Sequence, residues 1–153
     1  MLIKEYSWKV KGFISADPNK VGKELEIIEQ NDELNPQAVV DYARTHTDSE
    51  LYNVFDWNDS SAAEKYRRHI ASNVITSIRV EIIKDEQKRT NKPIKAFVQT
   101  ARYQNYEPIE VVVQDTDKYQ LLLEKAYKEL NGVKDRYAEL NEIQELLKDI
   151  PEY

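Results

Sequence analysis

The sequence contains no cysteine, three glycines and five prolines in 153 residues. Without cysteine the chain can form neither a disulfide framework nor a thiolate metal site, and it has no thiol nucleophile. Gly12, Gly22 and Gly132 stand too far apart to build a glycine-rich phosphate loop, which excludes P-loop and dinucleotide-binding proteins. So few glycines also argue against a many-turned β-sandwich.

Histidine is equally scarce, and the spacing of His46 and His69 does not match that of a metal-binding pair. No HExxH pattern occurs, and Ser60 and Ser61 lack the flanking glycines of a nucleophile elbow. The 28 acidic residues guarantee chance carboxylate pairs, so such pairs do not indicate glycosidase chemistry. We therefore predict that the protein is not an enzyme and binds no metal, cofactor or small-molecule substrate.

Long apolar runs are absent as well. No stretch of about 18 apolar residues occurs, which is the length that a membrane-spanning helix needs. The N-terminal residues MLIKEYSWKVKGF lack the continuous apolar region of a signal peptide. We expect a soluble cytoplasmic protein that makes no contact with membranes.

Charged side chains are abundant, at 33% of the residues, and they are unevenly distributed. Residues 1–63 carry a net charge of −6, residues 65–102 carry +7, and residues 103–153 carry −6. A basic block of this kind is typical of a surface that binds nucleic acid or an acidic partner. Alternatively, the three blocks neutralise one another within the fold or between subunits.

The first third of the sequence predicts one strand followed by short helices. Residues 3–14 nearly alternate apolar and polar side chains, which indicates a half-buried strand. Asp17-Pro18 and Asn35-Pro36 each combine a capping residue with a proline suited to the first helical turn. They predict a helix over residues 18–30 and a shorter one after Asn35. Residues 49–55 add about one further helical turn.

Residues 55–68, FDWNDSSAAEKYRR, join helix caps to aromatic and basic side chains. The residues favoured at a helix N-cap are Asn58, Asp59 and Ser60. One face of the following helix is predicted from apolar positions at intervals of three or four, namely Ala63, Tyr66, Ile70, Val74 and Ile78. We interpret Phe55, Trp57 and Tyr66 as anchors that fix this helix to the core.

The second half predicts a hairpin and a long helix. Residues 78–84 and 94–100 are interpreted as two paired strands joined by the polar loop KDEQKRTNKP. A single helix is predicted from Thr116 to about Lys148, with a seam that breaks its heptad register after Leu140 through two successive steps of three. The seam residues are Leu123, Ala126, Leu130, Val133, Tyr137, Leu140, Ile143 and Leu147.

Together these elements predict an α+β fold, mostly helical, with a small antiparallel sheet. We expect an α+β domain over residues 1–114 and a long C-terminal helix over residues 115–153. The seam favours a coiled-coil homodimer, although a helix packed against its own domain would need the same stripe.

The favoured function is DNA binding through the basic helix end and the hairpin, because phosphates need only suitably placed point charges and guanidinium forks. The candidate nucleic-acid-binding residues are Arg67, Arg68, Arg79, Lys84, Lys88, Arg89 and Lys92. Arg67 could instead pair with Glu64, three residues earlier. The alternative function is a protein–protein interaction module, in which the C-terminal helix or the acidic residues Glu24, Glu26 and Glu29 form the contact surface.

Four stretches form a further pattern: DPNKVGKELE at 17–26, LNPQAVVDYAR at 34–44, the FxWxDxxAAxxYR block from Phe55 to Arg67, and a helical RYxxLxEL pattern within Leu123 to about Leu146. In these stretches the chain resembles a widespread, uncharacterised family of small phage and prophage proteins. The resemblance implies a protein of a phage or mobile element that works in the cytoplasm of a bacterial host. It also implies a binding protein rather than a catalyst.

Overall fold

The computed structural model describes residues 3–31, 33–59, 61–83, 92–101 and 105–152 of the chain. The helices are α1 (Pro18–Asn31), α2 (Pro36–Thr45), α3 (Ser61–Ser77), α4 (Ile109–Gln114), α5 (Thr116–Arg136) and α6 (Asn141–Leu146), and a 3₁₀ turn covers Leu51–Val54. The strands are β1 (Ile3–Trp8), β2 (Ile78–Ile83), β3 (Ile94–Lys95), β4 (Phe97–Val98) and β5 (Glu107–Pro108). This architecture confirms the predicted α+β fold.

The chain divides into two compact units. The first unit comprises Met1–Val98 together with Asn105–Ile109, and the second comprises Gln99–Gln104 together with Glu110–Tyr153. Most of α4 therefore belongs to the second unit, whereas the sequence placed its boundary after residue 114. Within the described ranges, no helix is both long enough and apolar enough to cross a membrane.

The main sheet of the first unit is antiparallel, in the order β1-β2-β3. β1 ends at Trp8, earlier than predicted, because the chain turns there, with the Phe13 amide donating to Val10 O and Gly12 at a φ of 81°. Residues 94–95 pair with β2 as predicted, but residues 97–98 pair with β5 in a second sheet. The predicted second strand is thus split between two sheets.

Helix α1 packs against the first sheet where the backbone of Gly22 approaches the ring of Tyr6 on β1. A Cβ atom added at Gly22 would lie 2.3 Å from the ring of Tyr6. That ring is 5% exposed and stacks on Phe97 with centroids 6.5 Å apart, while its hydroxyl donates to Glu26. Glycine is required at position 22 because any other residue would displace this buried ring.

The core of the first unit is mainly aliphatic and is contributed largely by α1, α2, α3 and β2. Its residues below 2% exposure include Val21, Leu25, Val39, Val40, Val74, Ile75, Ile78 and Val80. The predicted inner face of α3 is partly wrong. Tyr66 is 63% exposed, and its place toward the core is taken by Arg67, Ala71, Val74 and Ile75.

Helix α3 passes into β2 without an intervening loop. Two donors satisfy carbonyl groups at this junction: the Lys9 amide donates to Ser77 O at 2.8 Å, and Arg79 Nη1 donates to Thr76 O at 2.7 Å. Because these contacts replace the hydrogen bonds that a continuing helix would have made, the change from helix to strand leaves no orphaned carbonyl at either residue.

The second unit corrects the prediction of one helix from Thr116 to about Lys148. Helix α5 ends at Arg136, and a turn leads to α6. The Gln144 amide donates to Lys134 O and to Tyr137 O, both at 2.9 Å, and the Asn131 amide donates to Pro151 O at 2.7 Å. These side-chain donors stabilise a chain reversal just where the heptad register of the seam breaks.

We expect Gly22→Ala and Gly132→Ala to change stability in opposite directions. The Gly22 variant should lose about 3 kcal/mol in the free energy of unfolding, because the new methyl group overlaps the Tyr6 ring. A Cβ at Gly132 meets only the Arg136 guanidinium at 3.4 Å, so alanine there should raise the helix stability by about 1 kcal/mol. Urea unfolding followed by circular dichroism measures both changes, and a neutral Gly22→Ala would contradict the packing described.

Candidate functional site

Arg67 organises the stretch FDWNDSSAAEKYRR from inside the fold. Its Nε donates to Asp56 O at 2.8 Å and its Nη2 donates to Asn58 O at 3.1 Å. Its Nη1 lies 3.3 Å from Glu64 Oε2, which confirms the alternative pairing considered for this residue. The whole residue is 3% exposed. Arg67 therefore fastens the segment before α3 to the helix and has no surface left for a phosphate.

Trp57 lies beside two guanidinium groups. The Cζ atoms of Arg44 and Arg67 are 5.7 Å and 5.0 Å from the centroid of its ring, within the range of a cation–π interaction. The indole Nε1 donates to Tyr52 O at 3.0 Å, and the Tyr52 ring stacks on the indole with centroids 5.2 Å apart. Trp57 is half-buried and Phe55 is 7% exposed, so both act as the predicted anchors.

Glu64 joins α2 to α3. Its carboxylate accepts hydrogen bonds from Gln37 at 3.2 Å, from Arg44 at 2.6 Å and from Arg67 at 3.3 Å. The hydrogen bond from Gln37, followed by the charge of Arg44 and the bond from Arg67, lowers the pKa of Glu64 below its usual value. The carboxylate is therefore held ionised and fully engaged, which suits a structural joint rather than an acid–base catalyst.

The predicted DNA-binding residues that the structure describes differ in their exposure to solvent. Arg68 on α3 and Lys92 before β3 are exposed, as a phosphate contact requires. The prediction that Arg67 contacts phosphate does not fit the structure, because its guanidinium is buried and hydrogen-bonded within the fold. Arg79 is half-buried on β2, just after the end of α3, and burial lowers its pKa. The remaining three candidates, Lys84, Lys88 and Arg89, lie outside the described residues.

The acidic residues of α1 also serve the fold. The carboxylate of Glu24 accepts the amides of Glu50 at 2.9 Å and Leu51 at 3.3 Å, and burial raises its pKa. Glu26 accepts from Lys4 Nζ at 2.7 Å. Glu24 and Glu26 thus cap and pair neighbouring elements, and their carboxylates are engaged within the fold.

One face of α5 carries an apolar stripe toward solvent. The helix has no buried residue along its 21 positions, although Leu123 and Val133 are partly covered. Tyr119 is 48% exposed, Leu130 38% and Tyr137 50%. The later seam residues lie beyond the helix end, where Leu140 is exposed and Ile143 and Leu147 are half-buried. The predicted seam is therefore continuous only as far as Tyr137.

A groove of about 300 Å³ opens on the first unit between α3, the 3₁₀ turn and the segment that follows β1. Its apolar lining consists of Phe13, Ile14, Val54, Tyr66 and Ile70. Sequence reasoning missed this site because it assigned Tyr66 to the core and singled out no role for Phe13. The one available signal was the position of Phe13 directly after Gly12, in a turn that holds an aromatic ring away from the sheet.

A second groove, of about 400 Å³, lies between α1 and α2. Its wall includes Tyr42 and His46, whose rings stack with centroids 3.9 Å apart, and His46 Nδ1 lies 2.8 Å from Tyr42 O. Among the described residues, no group of three or more histidine and carboxylate side chains is arranged to hold a metal ion.

Comparisons with known proteins found no matching family model, no matching curated protein and no matching solved structure. The resemblance of the quoted motifs to phage proteins therefore stays a prediction. The geometry of the surfaces described above is the basis on which a function is inferred.

Two adjacent arginines provide a test of the buried joint. We expect Arg67→Ala to lower the free energy of unfolding by about 3 kcal/mol, because it leaves two carbonyl groups without their charged donor and removes one of the two arginines that bind Glu64. The exposed neighbour Arg68→Ala should change it by less than about 0.5 kcal/mol. Urea unfolding followed by tryptophan fluorescence distinguishes the two variants, and equal effects would contradict the assigned roles.

Proposed function

We propose that this protein is a protein-interaction module that forms a homodimer through α5. The observation that carries the proposal is the apolar stripe on a helix that buries none of its residues. A solvated helix of this length is marginal by itself, because helices in proteins derive most of their stability from packing an apolar face. A partner helix on the stripe would supply that packing.

The stripe has the residue spacing of a coiled-coil seam. Its members alternate at spacings of four and three, and they are Tyr119, Leu123, Ala126, Leu130, Val133 and Tyr137. At a rise of 1.5 Å per residue, the stripe from Tyr119 to Tyr137 is about 27 Å long. This length offers knob positions on between two and three heptads, enough for a weak, concentration-dependent dimer.

Charges beside the stripe favour a second copy of the same chain as the partner. Glu129 precedes Leu130 and Lys134 follows Val133, so the two occupy the g and e positions of successive heptads. In a parallel dimer, Glu129 of one copy faces Lys134 of the other, and the symmetry of the dimer repeats this attractive pair. The stripe is thus complementary to itself in charge as well as in apolar character.

We expect Leu130→Glu to shift the protein from dimer to monomer, because it places a carboxylate in the apolar seam of each copy. The control is Lys128→Glu, which introduces the same side chain on the opposite side of the helix at 100° per residue and should leave the dimer intact. Sedimentation equilibrium over a wide concentration range measures the mass. A wild-type protein that stays monomeric throughout would overturn the proposal.

A charge exchange tests the parallel arrangement. Glu129→Lys and Lys134→Glu should each weaken the dimer, since each creates like-charged pairs, and the double variant should restore it. Because the two residues are five positions apart on one helix, they do not pair within a chain, and restoration reports on the contact between copies. A double variant weaker than both single variants would exclude parallel pairing.

DNA binding remains a second candidate function, favoured by the exposed basic side chains of Arg68, Lys92 and Lys95. The buried Arg67 is no longer among the residues proposed to contact phosphate. The described part of the sheet also carries Glu5 directly opposite Glu81, so its solvent face is mixed in charge rather than uniformly basic.

If DNA is the partner, replacing Lys88, Arg89 and Lys92 together by alanine should weaken binding to every duplex sequence. It should also reduce the slope of log affinity against log salt concentration by roughly 0.9 per lost phosphate contact. Fluorescence anisotropy with a labelled duplex measures both, and Lys20→Ala with Lys23→Ala on α1 serves as the control. No binding at low salt would rule out this candidate.

A further inference from the structure

The groove beside α3 carries two aromatic side chains that are exposed to solvent and are not part of the buried core. Phe13 is 64% exposed and Tyr66 is 63% exposed, and Val10 nearby in sequence is 57% exposed. Single exposed apolar residues are ordinary, whereas a cluster that rims a groove is typical of a site for a binding partner. Phe13 and Tyr66 line the groove together with the aliphatic residues Ile14, Val54 and Ile70.

Three exposed lysines lie close in sequence to residues of the groove, in a chain whose net charge is −6. Residues 9–15 carry Lys9 and Lys11 with no acidic residue, and the 3₁₀ turn carries no charge. Helix α3 adds Lys65, which is exposed and directly precedes Tyr66. Its one carboxylate, Glu64, is already bound to Arg44 and Arg67.

Polar groups at the groove also favour a peptide. The Asn53 and Asn73 side chains line it, and the Asn73 amide nitrogen lies 3.4 Å from His69 Nε2. Asparagine amides can both donate to and accept from a peptide backbone. A volume of about 300 Å³ suits one or two large apolar side chains rather than a whole cofactor.

We infer that this groove binds an acidic segment of a partner protein, with one or two large apolar side chains inserted between Phe13 and Tyr66 and flanking carboxylates facing Lys9, Lys11 and Lys65. Single-stranded nucleic acid fits less well, because bases stack on flat rings and most of the apolar lining here is aliphatic. The inference rests on the proposed role in protein binding, but it does not depend on the dimer through α5.

The test is a selection of random peptides displayed on phage, carried out on the full-length protein. We expect the enriched sequences to combine Leu, Ile, Phe or Trp with neighbouring Asp or Glu. The best enriched peptide, labelled with fluorescein, should bind the wild-type protein in fluorescence anisotropy, and a version with lysine in place of each acidic residue should not. No enrichment, or enrichment of basic peptides, would overturn the inference.

Matched variants locate the binding site. Tyr66→Ala should weaken peptide binding at least about tenfold, and Lys65→Glu should weaken it several-fold, whereas Ile27→Ala and Lys23→Glu on α1 should not change it. Because Tyr66 and Lys65 are exposed, these changes should leave the unfolding midpoint nearly unaltered. Peptide binding that is insensitive to both groove variants would place the site elsewhere and refute the proposal.

Two further measurements distinguish peptide binding in the groove from nucleic-acid binding and from dimer formation through α5. A labelled single-stranded thymidine oligonucleotide that bound more tightly than the peptide, and lost binding in Tyr66→Ala, would show a nucleic-acid site and overturn the inference. Groove variants should leave the mass of the dimer unchanged, and Leu130→Glu should leave peptide binding unchanged. The experiments can therefore refute the proposed dimer and the proposed peptide site independently of each other.

Discussion

The first unit depends on one buried guanidinium. Arg67 supplies hydrogen-bond donors to two backbone carbonyls at positions 56 and 58 and to the side chain of Glu64, while its face lies near the indole of Trp57. A buried cation is tolerable only when it is paired and its donors are satisfied, and these conditions are met here. The loop before α3, the start of that helix and the Glu64 link to α2 are held by the same side chain.

Hydrogen bonding to backbone carbonyls also explains why two arginines of the most basic part of the sequence are turned into the fold. Arg67 and Arg79 direct their donors to carbonyl groups that the ends of neighbouring segments leave free. Charge counted along the sequence cannot distinguish such an arginine from one that faces solvent. The apolar groove lined by Phe13, Val54 and Tyr66 was equally invisible, because it arises from the contact of distant segments.

Local chemistry allowed most elements to be predicted, and distant contacts account for the misses. The Asn35 cap and the following proline gave α2, where the Asn35 side chain accepts the Ala38 amide at 2.9 Å. Tyr66 was misassigned because the acceptors that draw Arg67 inward lie nine and eleven residues earlier. The end of α5 was missed because its donors, above all Gln144, come from beyond the break. The broken heptad spacing indicated that the helix changes near Leu140, but it did not predict that the chain reverses direction there.

Helix α3 continues directly into β2, so the 3.6-residue period of the helix is joined to the two-residue period of the strand without a loop between them. A residue inserted at Ser77 or Ile78 would rotate the preceding helix by about 100° relative to the strand, or else exchange the two faces of the strand. The first outcome removes Arg67 from its carbonyl partners, and the second turns Ile78 and Val80 toward solvent. Insertions and deletions should therefore disrupt the fold at this junction, whereas the loops should tolerate them. The orientation of α3 relative to β2 is thus fixed by the number of residues between them.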